Sequence, residues 1–267
     1  MSEGDPTPWS DPIGPFRADQ IHDGDRYELC NGHAIHCMTA GNRHSAANAV
    51  GVSVLASDPA VKNAGADAGI AFNDDKNLRA PDIALNIDPD NPGWSREAPP
   101  LAVEYASVGQ DWAELKRKIA ELLEFGTRYI WVVHLVGPLR VDIHEPGRPV
   151  RTVPGDATLT APGVLHNPVP VRALVDPGSA REVIFNNLLN RQGYANLDAI
   201  RDEARDELLN VARERLRTQL ATRGWSLAPD LQDRVAACAD IDVLLQWLLA
   251  TATAESAEAA LRVPAAR

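Results

Sequence analysis

The stretch Pro100-Leu-Ala-Val-Glu-Tyr-Ala-Ser107, PLAVEYAS, decides the fold. Leu101, Ala102, Val103, Tyr105 and Ala106 form a short apolar run between turn-forming residues, the pattern of a strand covered on both faces. Glu104 interrupts it. A carboxylate in such a strand costs free energy unless a cation or hydrogen-bond donors face it. The simpler alternative is a strand-edge glutamate turned toward water.

Working outward, a helix is expected at about 111–125, then strands at RYIWVVHL (128–135) and LRVDIHE (139–145). Upstream, ADAGIAFN (66–73) and PDIALNI (81–87) read as strands, and HSAANAVGVSVLAS (44–57) as a helix. RYELC-NG-HAIHCM reads as two short strands around Asn31-Gly32, a dipeptide suited to a tight turn with positive φ. Short strands at RTV (151–153) and PVRALV (170–175) complete this part. A strand cluster with helices before and between its members predicts an α/β (α+β) domain over 26–185, with a mixed central sheet flanked by helices.

Residues 1–25 hold four prolines and little apolar periodicity, and read as an extended N-terminal arm. From Leu197 the pattern turns helical: Leu197, Ile200, Ala204, Leu208, Val211, Leu216 and Leu220 recur at three to five residues. Gly224 ends that helix, Pro229 starts another, and Asp240 is placed to cap a last one. Residues 195–262 are therefore expected to form a C-terminal helical appendage.

The charge balance bears on partners. Net charge is −11, and residues 1–100 carry 7 basic against 15 acidic groups. Avid nonspecific binding to nucleic acid, which depends on Lys and Arg neutralising phosphates, is not expected from that balance. No apolar run is long enough to span a membrane. Three cysteines argue against a disulfide scaffold and for a cytoplasmic protein.

Three residues carry candidate chemistry. Asp82 opens one strand, Glu104 lies within the next, and Lys118 lies on the helix that follows. Helical geometry puts Leu115, Ile119 and Leu122 on one face and Lys118 within that inward stripe, with Lys116 and Arg117 pointing outward. A snorkelling border lysine is the bland reading. Two carboxylates and a lysine at one sheet end are the minimum set for metal-assisted phosphodiester hydrolysis. The acids suit Mg²⁺, which polarises the phosphate and activates water, and an ammonium offsets charge developing in the transition state.

This order of residues resembles the PD-(D/E)XK nuclease superfamily, and more closely its Uma-two family of restriction-endonuclease-like proteins. Tyr27-Glu28-Leu29 with Asn31-Gly32 resembles the family's opening, and His44 its histidine at the start of the first helix. The acid pair falls on Asp82 and Glu104 with Ser107 after it; the helical lysine, with its following glycine and strand tryptophan, falls on Lys118, Gly126 and Trp131. The likeness covers about residues 26–176. His134 stands where an acid is common in the family.

The resemblance implies a restriction-endonuclease-like core and an endonuclease that cuts DNA. Asp82 and Glu104 would hold Mg²⁺ (or Mn²⁺), and Lys118 would assist water attack. Glu28 and His44 are additional candidates, although a surface charge on the hairpin is the simpler reading of Glu28. The alternative is a catalytically silent nuclease fold serving as an interaction or oligomerisation module, and the C-terminal helices are a candidate surface for a homo-oligomer. Cys30, His33, His36 and Cys37 alternate across a hairpin and are not expected to converge on zinc. His134, His144 and His166 have no partner at catalytic spacing and read as structural.

Overall fold

The computed structural model describes residues 14–262, so the first 13 residues of the expected arm lie outside the described residues. The chain divides into two units, one up to Gly193 and one from Tyr194.

In order, the first unit contains β1 (Tyr27–Cys30), β2 (His33–His36), α1 (Asn42–Ser57), β3 (Ala64–Ala66), β4 (Ile70–Phe72), β5 (Asn77–Arg79) and β6 (Ile83–Leu85). Then come β7 (Leu101–Ala106), α2 (Trp112–Phe125), β8 (Tyr129–His134), β9 (Arg140–His144), β10 (Arg151–Pro154), β11 (Thr158–Leu159), β12 (Val169–Pro170) and α3 (Pro177–Arg191). Six strands form a mixed sheet in the order β10-β9-β8-β7-β6-β3. Its one parallel pair is β7–β8, joined by α2 as a crossover helix. A second sheet has the order β2-β1-β5-β4.

The central sheet is covered on both sides, which is why PLAVEYAS reads as a continuous apolar run. Odd-numbered Val103, Tyr105, Trp131 and Val133 join the core that includes Val54 and Leu55 of α1. Even-numbered Ala102, Ala106, Ile130 and Val132 pack against Leu115, Ile119 and Leu122 of α2. Each of those three α2 side chains contributes about 1.5–3 kcal/mol by burial. Asp111 caps α2 by accepting from the backbone N–H of Ala113 and Glu114, and Gly126 ends it with φ 126°.

Several expectations are corrected. The run 66–73 is two strands in different sheets, broken at Asp67 with φ 51°. PVRALV is a 3₁₀ turn over Val171–Leu174 rather than a strand. β5 had no sequence signature, because three residues show no periodicity. The helix α3 was also missed: its apolar spacing is weak, and polar groups dock it. Asn187 donates to Ser57 Oγ at 2.8 Å, and the Arg191 guanidinium donates to the carbonyls of Ala56, Ser57, Asp58 and Val61 at the end of α1. The described part of the arm is docked, not free: Phe16 N–H donates to the Gly32 carbonyl, Ala18 is buried, and Trp94 Nε1 donates to the Ala18 carbonyl.

The second unit contains α4 (Leu197–Thr222), α5 (Pro229–Ala237), α6 (Ile241–Ala250) and α7 (Ala257–Ala260). Asn196 caps α4 and Asp240 caps α6. The buried stripe of α4 is Leu209, Ala212, Leu216 and Leu220, packed with Val235, Leu244 and Trp247. Leu208 and Val211, expected inside, are 62% and 49% exposed.

α1 approaches the sheet closely because Gly51 has no side chain. A methyl group there would collide with the Tyr105 hydroxyl and lie 2.9 Å from Ile83 Cδ1. Gly51→Ala is expected to destabilise the protein by about 1–3 kcal/mol, measured by urea unfolding. Unchanged stability would show that α1 can lift off the sheet at no cost.

Candidate active site

Antiparallel pairing of β6 and β7, with Ile83 opposite Val103, places Asp82 across from Glu104 at the end of the sheet. Both Asp82 oxygens are engaged. Oδ1 lies 2.9 Å from His44 Nε2 near the N-terminus of α1, and Oδ2 accepts the Tyr105 backbone N–H at 2.6 Å. The proline before Asp82 starts the strand where a missing N–H does little harm. The acid then uses the Tyr105 N–H of the neighbouring strand as a hydrogen-bond anchor.

Lys118 points inward from α2, and its Nζ lies 2.8 Å from Glu104 Oε1. The same ammonium donates to Glu28 Oε1 at 3.0 Å and to the Ala80 carbonyl at 2.6 Å. Glu28 is therefore not a surface charge on the hairpin. It is buried, and it links Lys118 to Arg79, whose Nη1 donates to Glu28 Oε2 at 3.1 Å.

Arg79 is wholly buried and also binds Glu114 Oε1 at 2.7 Å and Glu121 Oε2 at 2.6 Å. Two cations thus face four carboxylates, Glu28, Glu104, Glu114 and Glu121, and Asp82 adds a fifth nearby. With Arg117 also bound to Glu114 Oε2 at 2.9 Å and His44 beside Asp82, carboxylates outnumber the fixed cations of this cluster five to three. Sequence reasoning missed Arg79, Glu114, Glu121 and Asp67. The only signal available was an arginine immediately before Ala-Pro-Asp, and nothing tied it to acids on a distant helix.

The pKa shifts follow from burial and neighbours. Burial pushes the Glu104 carboxyl upward, with Lys118 pulling the other way and Asp82 adding to the rise. Burial alone would lower the Lys118 ammonium, but Glu104, Glu28 and Asp82 outweigh it and hold its pKa above the usual lysine range. The hydrogen bond to Asp82 raises His44 against the effect of burial. Asp67 is raised by burial and by Asp82. Cys37, beside Glu28, is pushed up to about 11 by burial and stays a thiol at neutral pH.

The donor set suits a hard divalent cation. Glu104 Oε1 is buried and lies 2.8 Å from Lys118 Nζ, so this carboxylate is already paired with the ammonium. No three His, Cys, Asp or Glu side chains among the described residues converge on one metal position. Mg²⁺ needs less than that, since one or two carboxylates usually hold it together with substrate phosphate and water. Asp82 and Glu104, paired across β6 and β7, are the two carboxylates that would serve here. His134, read as structural for want of a partner at catalytic spacing, is held by two neighbours: Asp142 Oδ2 lies 2.7 Å from its Nε2, and Arg140 Nη2 lies 2.9 Å from its Nδ1.

A mixed sheet with a parallel central pair, an acid on each of two adjacent strands and a lysine from the crossover helix define the restriction-endonuclease-like class of α/β fold. A solved protein of this type comes from Anabaena variabilis ATCC 29413 and is described as "a putative nuclease belonging to DUF820". It is 20% identical, aligns over 62% of this chain and 99% of its own, and superposes with a TM-score of 0.52. The chain belongs to the Uma2 family, described as "Putative restriction endonuclease", whose profile matches residues 16–169. No functionally curated protein matches it significantly.

Two outcomes are expected. Arg79→Ala leaves Glu121 without its cation and strips one cationic partner each from Glu28 and Glu114, at a cost of about 3–5 kcal/mol in urea unfolding. Arg79→Lys recovers less than half of that, because a single ammonium cannot reach three acids at once. The second outcome concerns pH. The folded-state pKa of His44 lies above its ordinary 6.5, so the folded state binds this proton more tightly. The stabilisation from its pairing with Asp82 is complete below pH 6.5 and is lost as pH rises through the raised value. His44→Gln should remove that part of the stability difference between acid and alkaline urea titrations, while an unaltered profile would exclude the pairing.

Proposed function

We propose that this protein is a metal-dependent endonuclease that hydrolyses phosphodiester bonds of DNA at the Asp82–Glu104–Lys118 cluster. The observation that carries the reading is the Lys118 ammonium, buried on α2 and 2.8 Å from Glu104, with Asp82 directly across the strand pair. Membership of a family described as restriction endonucleases supports the reaction class and DNA as substrate.

Asp82 and Glu104 would hold Mg²⁺ or Mn²⁺, which when bound polarises the phosphate and lowers the pKa of attacking water. The chain's own residues do the rest. Lys118 presents a permanent positive charge where negative charge builds up on the phosphate. Glu28 and the Ala80 carbonyl hold that ammonium in place, and Arg79 holds Glu28. The Tyr105 backbone N–H fixes the Asp82 carboxylate, so the acid is oriented before any ligand arrives. His44 is placed to donate or accept a proton at Asp82 Oδ1.

The test is cleavage of plasmid, linear duplex and single-stranded DNA with Mg²⁺, with Mn²⁺ and with chelator. Asp82→Ala, Glu104→Gln and Lys118→Met should each lower metal-dependent cleavage about a hundredfold or more while far-ultraviolet circular dichroism stays unchanged. Cleavage by Asp82→Ala equal to the parent, or no cleavage of any DNA by the parent, would sink this assignment.

A further inference from the structure

The sheet that carries Glu104 also carries a second constellation on the same face. In the parallel register of β7 and β8, Glu104 pairs with Val132 and Ala106 with His134. His134 is therefore one strand over and two residues further toward the sheet end, on the side that α2 covers. From strand spacing and rise, its backbone lies roughly 8 Å from that of Glu104. The side chains flanking that diagonal on this face are Ala106 and Val132.

Trp112, in the first turn of α2, stacks on this imidazole, with ring centroids 5.5 Å apart and planes 24° from parallel. The two rings differ in environment: His134 is 6% exposed and Trp112 47%. The imidazole is fixed at both nitrogens. Arg140 Nη2 donates to Nδ1, so Nε2 carries the hydrogen and donates to Asp142 Oδ2. Thr152 Oγ1 in turn donates to Asp142 Oδ1 at 2.6 Å. Three residues on neighbouring strands thus hold one buried ring flat beneath an indole that remains half open to solvent. An apolar ring that only filled the core would be covered. An exposed aromatic stacked on a fixed ring beside the proposed cleavage site instead has the form of a stacking surface, since every nucleobase presents a flat π-face.

We propose that Trp112, held by His134, is a nucleobase-stacking platform that seats an unpaired base of the strand cut at the neighbouring acid–lysine site. This rests on the nuclease reading above for its choice of ligand. It also suits an acidic protein: stacking supplies affinity that phosphate neutralisation does not, and it requires a base turned out of a duplex or already single-stranded. His134 and Arg140 act here as positioning residues for the indole.

The experiment measures binding of the full chain, in chelator, to fluorescently labelled short single strands. One strand is intact; the others carry a single abasic nucleotide stepped along the sequence. The parent should lose about tenfold in affinity at one abasic position, the size of one stacked base. Trp112→Ala should bind the intact strand about tenfold more weakly and lose nothing further at that position, and Trp112→Phe should keep most of the affinity. The platform is overturned if Trp112→Ala binds like the parent, if it loses equally on intact and abasic strands, or if the parent binds no single strand. Failure of the nuclease reading shows separately, as abasic-sensitive, Trp112-dependent binding without metal-dependent cleavage.

Discussion

Everything at this site depends on a buried ammonium. Lys118 can occupy the inward stripe of α2 only because Glu104 and Glu28 meet it there, and Glu28 can lie beneath the helix only because Arg79 takes its other oxygen. Removing charges from water costs several kcal/mol per ion, so none of these groups is stable there alone. The set is tolerated as a connected whole, in which Lys118 bridges Glu104 and Glu28, and Arg79 bridges Glu28, Glu114 and Glu121. What remains after pairing is an excess of carboxylate, which is the condition a divalent cation would relieve.

The sheet converts this charge cluster into a site. Antiparallel pairing of β6 with β7 sets Asp82 against Glu104, and parallel pairing of β7 with β8 continues the same face toward His134 and Trp112. One face of two strand pairs thus carries the acids and the buried His134 ring, and α2 lays the Lys118 ammonium and the exposed Trp112 ring over it. The opposite face is filled by α1 at near contact with Tyr105, whose hydroxyl donates to the Leu174 carbonyl and whose N–H holds Asp82. Core packing and site geometry therefore meet in a single residue.

Much of the candidate site was legible before any fold was known, and the misses have physical causes. Asp82, Glu104 and Lys118 stood out because each breaks a pattern: an acid after a strand-starting proline, an acid in an apolar run, a lysine in an apolar helical stripe. Glu28 was misread because strand alternation tells which residues share a face but not what covers that face. Arg79 and the acids at 114 and 121 were invisible, since an arginine in a three-residue strand and glutamates on a helix surface are ordinary until α2 is laid across β1 and β5. α3 escaped because its anchors are amides and a guanidinium rather than an apolar stripe.

By itself the amino-acid sequence determined the strand–helix–strand core around PLAVEYAS and the inward direction of Lys118. Local periodicity suffices there, because helix and strand geometry fix which residues share a side. It also marked the helical C-terminal region and the cap at Asp240. Only the tertiary structure decided that Glu28, Glu104 and Lys118 form one ion network around Arg79, that His44 meets Asp82, and that His134 lies under Trp112. Those contacts join residues from 14 to 90 positions apart, and pair energies at such separations depend on sheet register and helix placement, which no local pattern encodes.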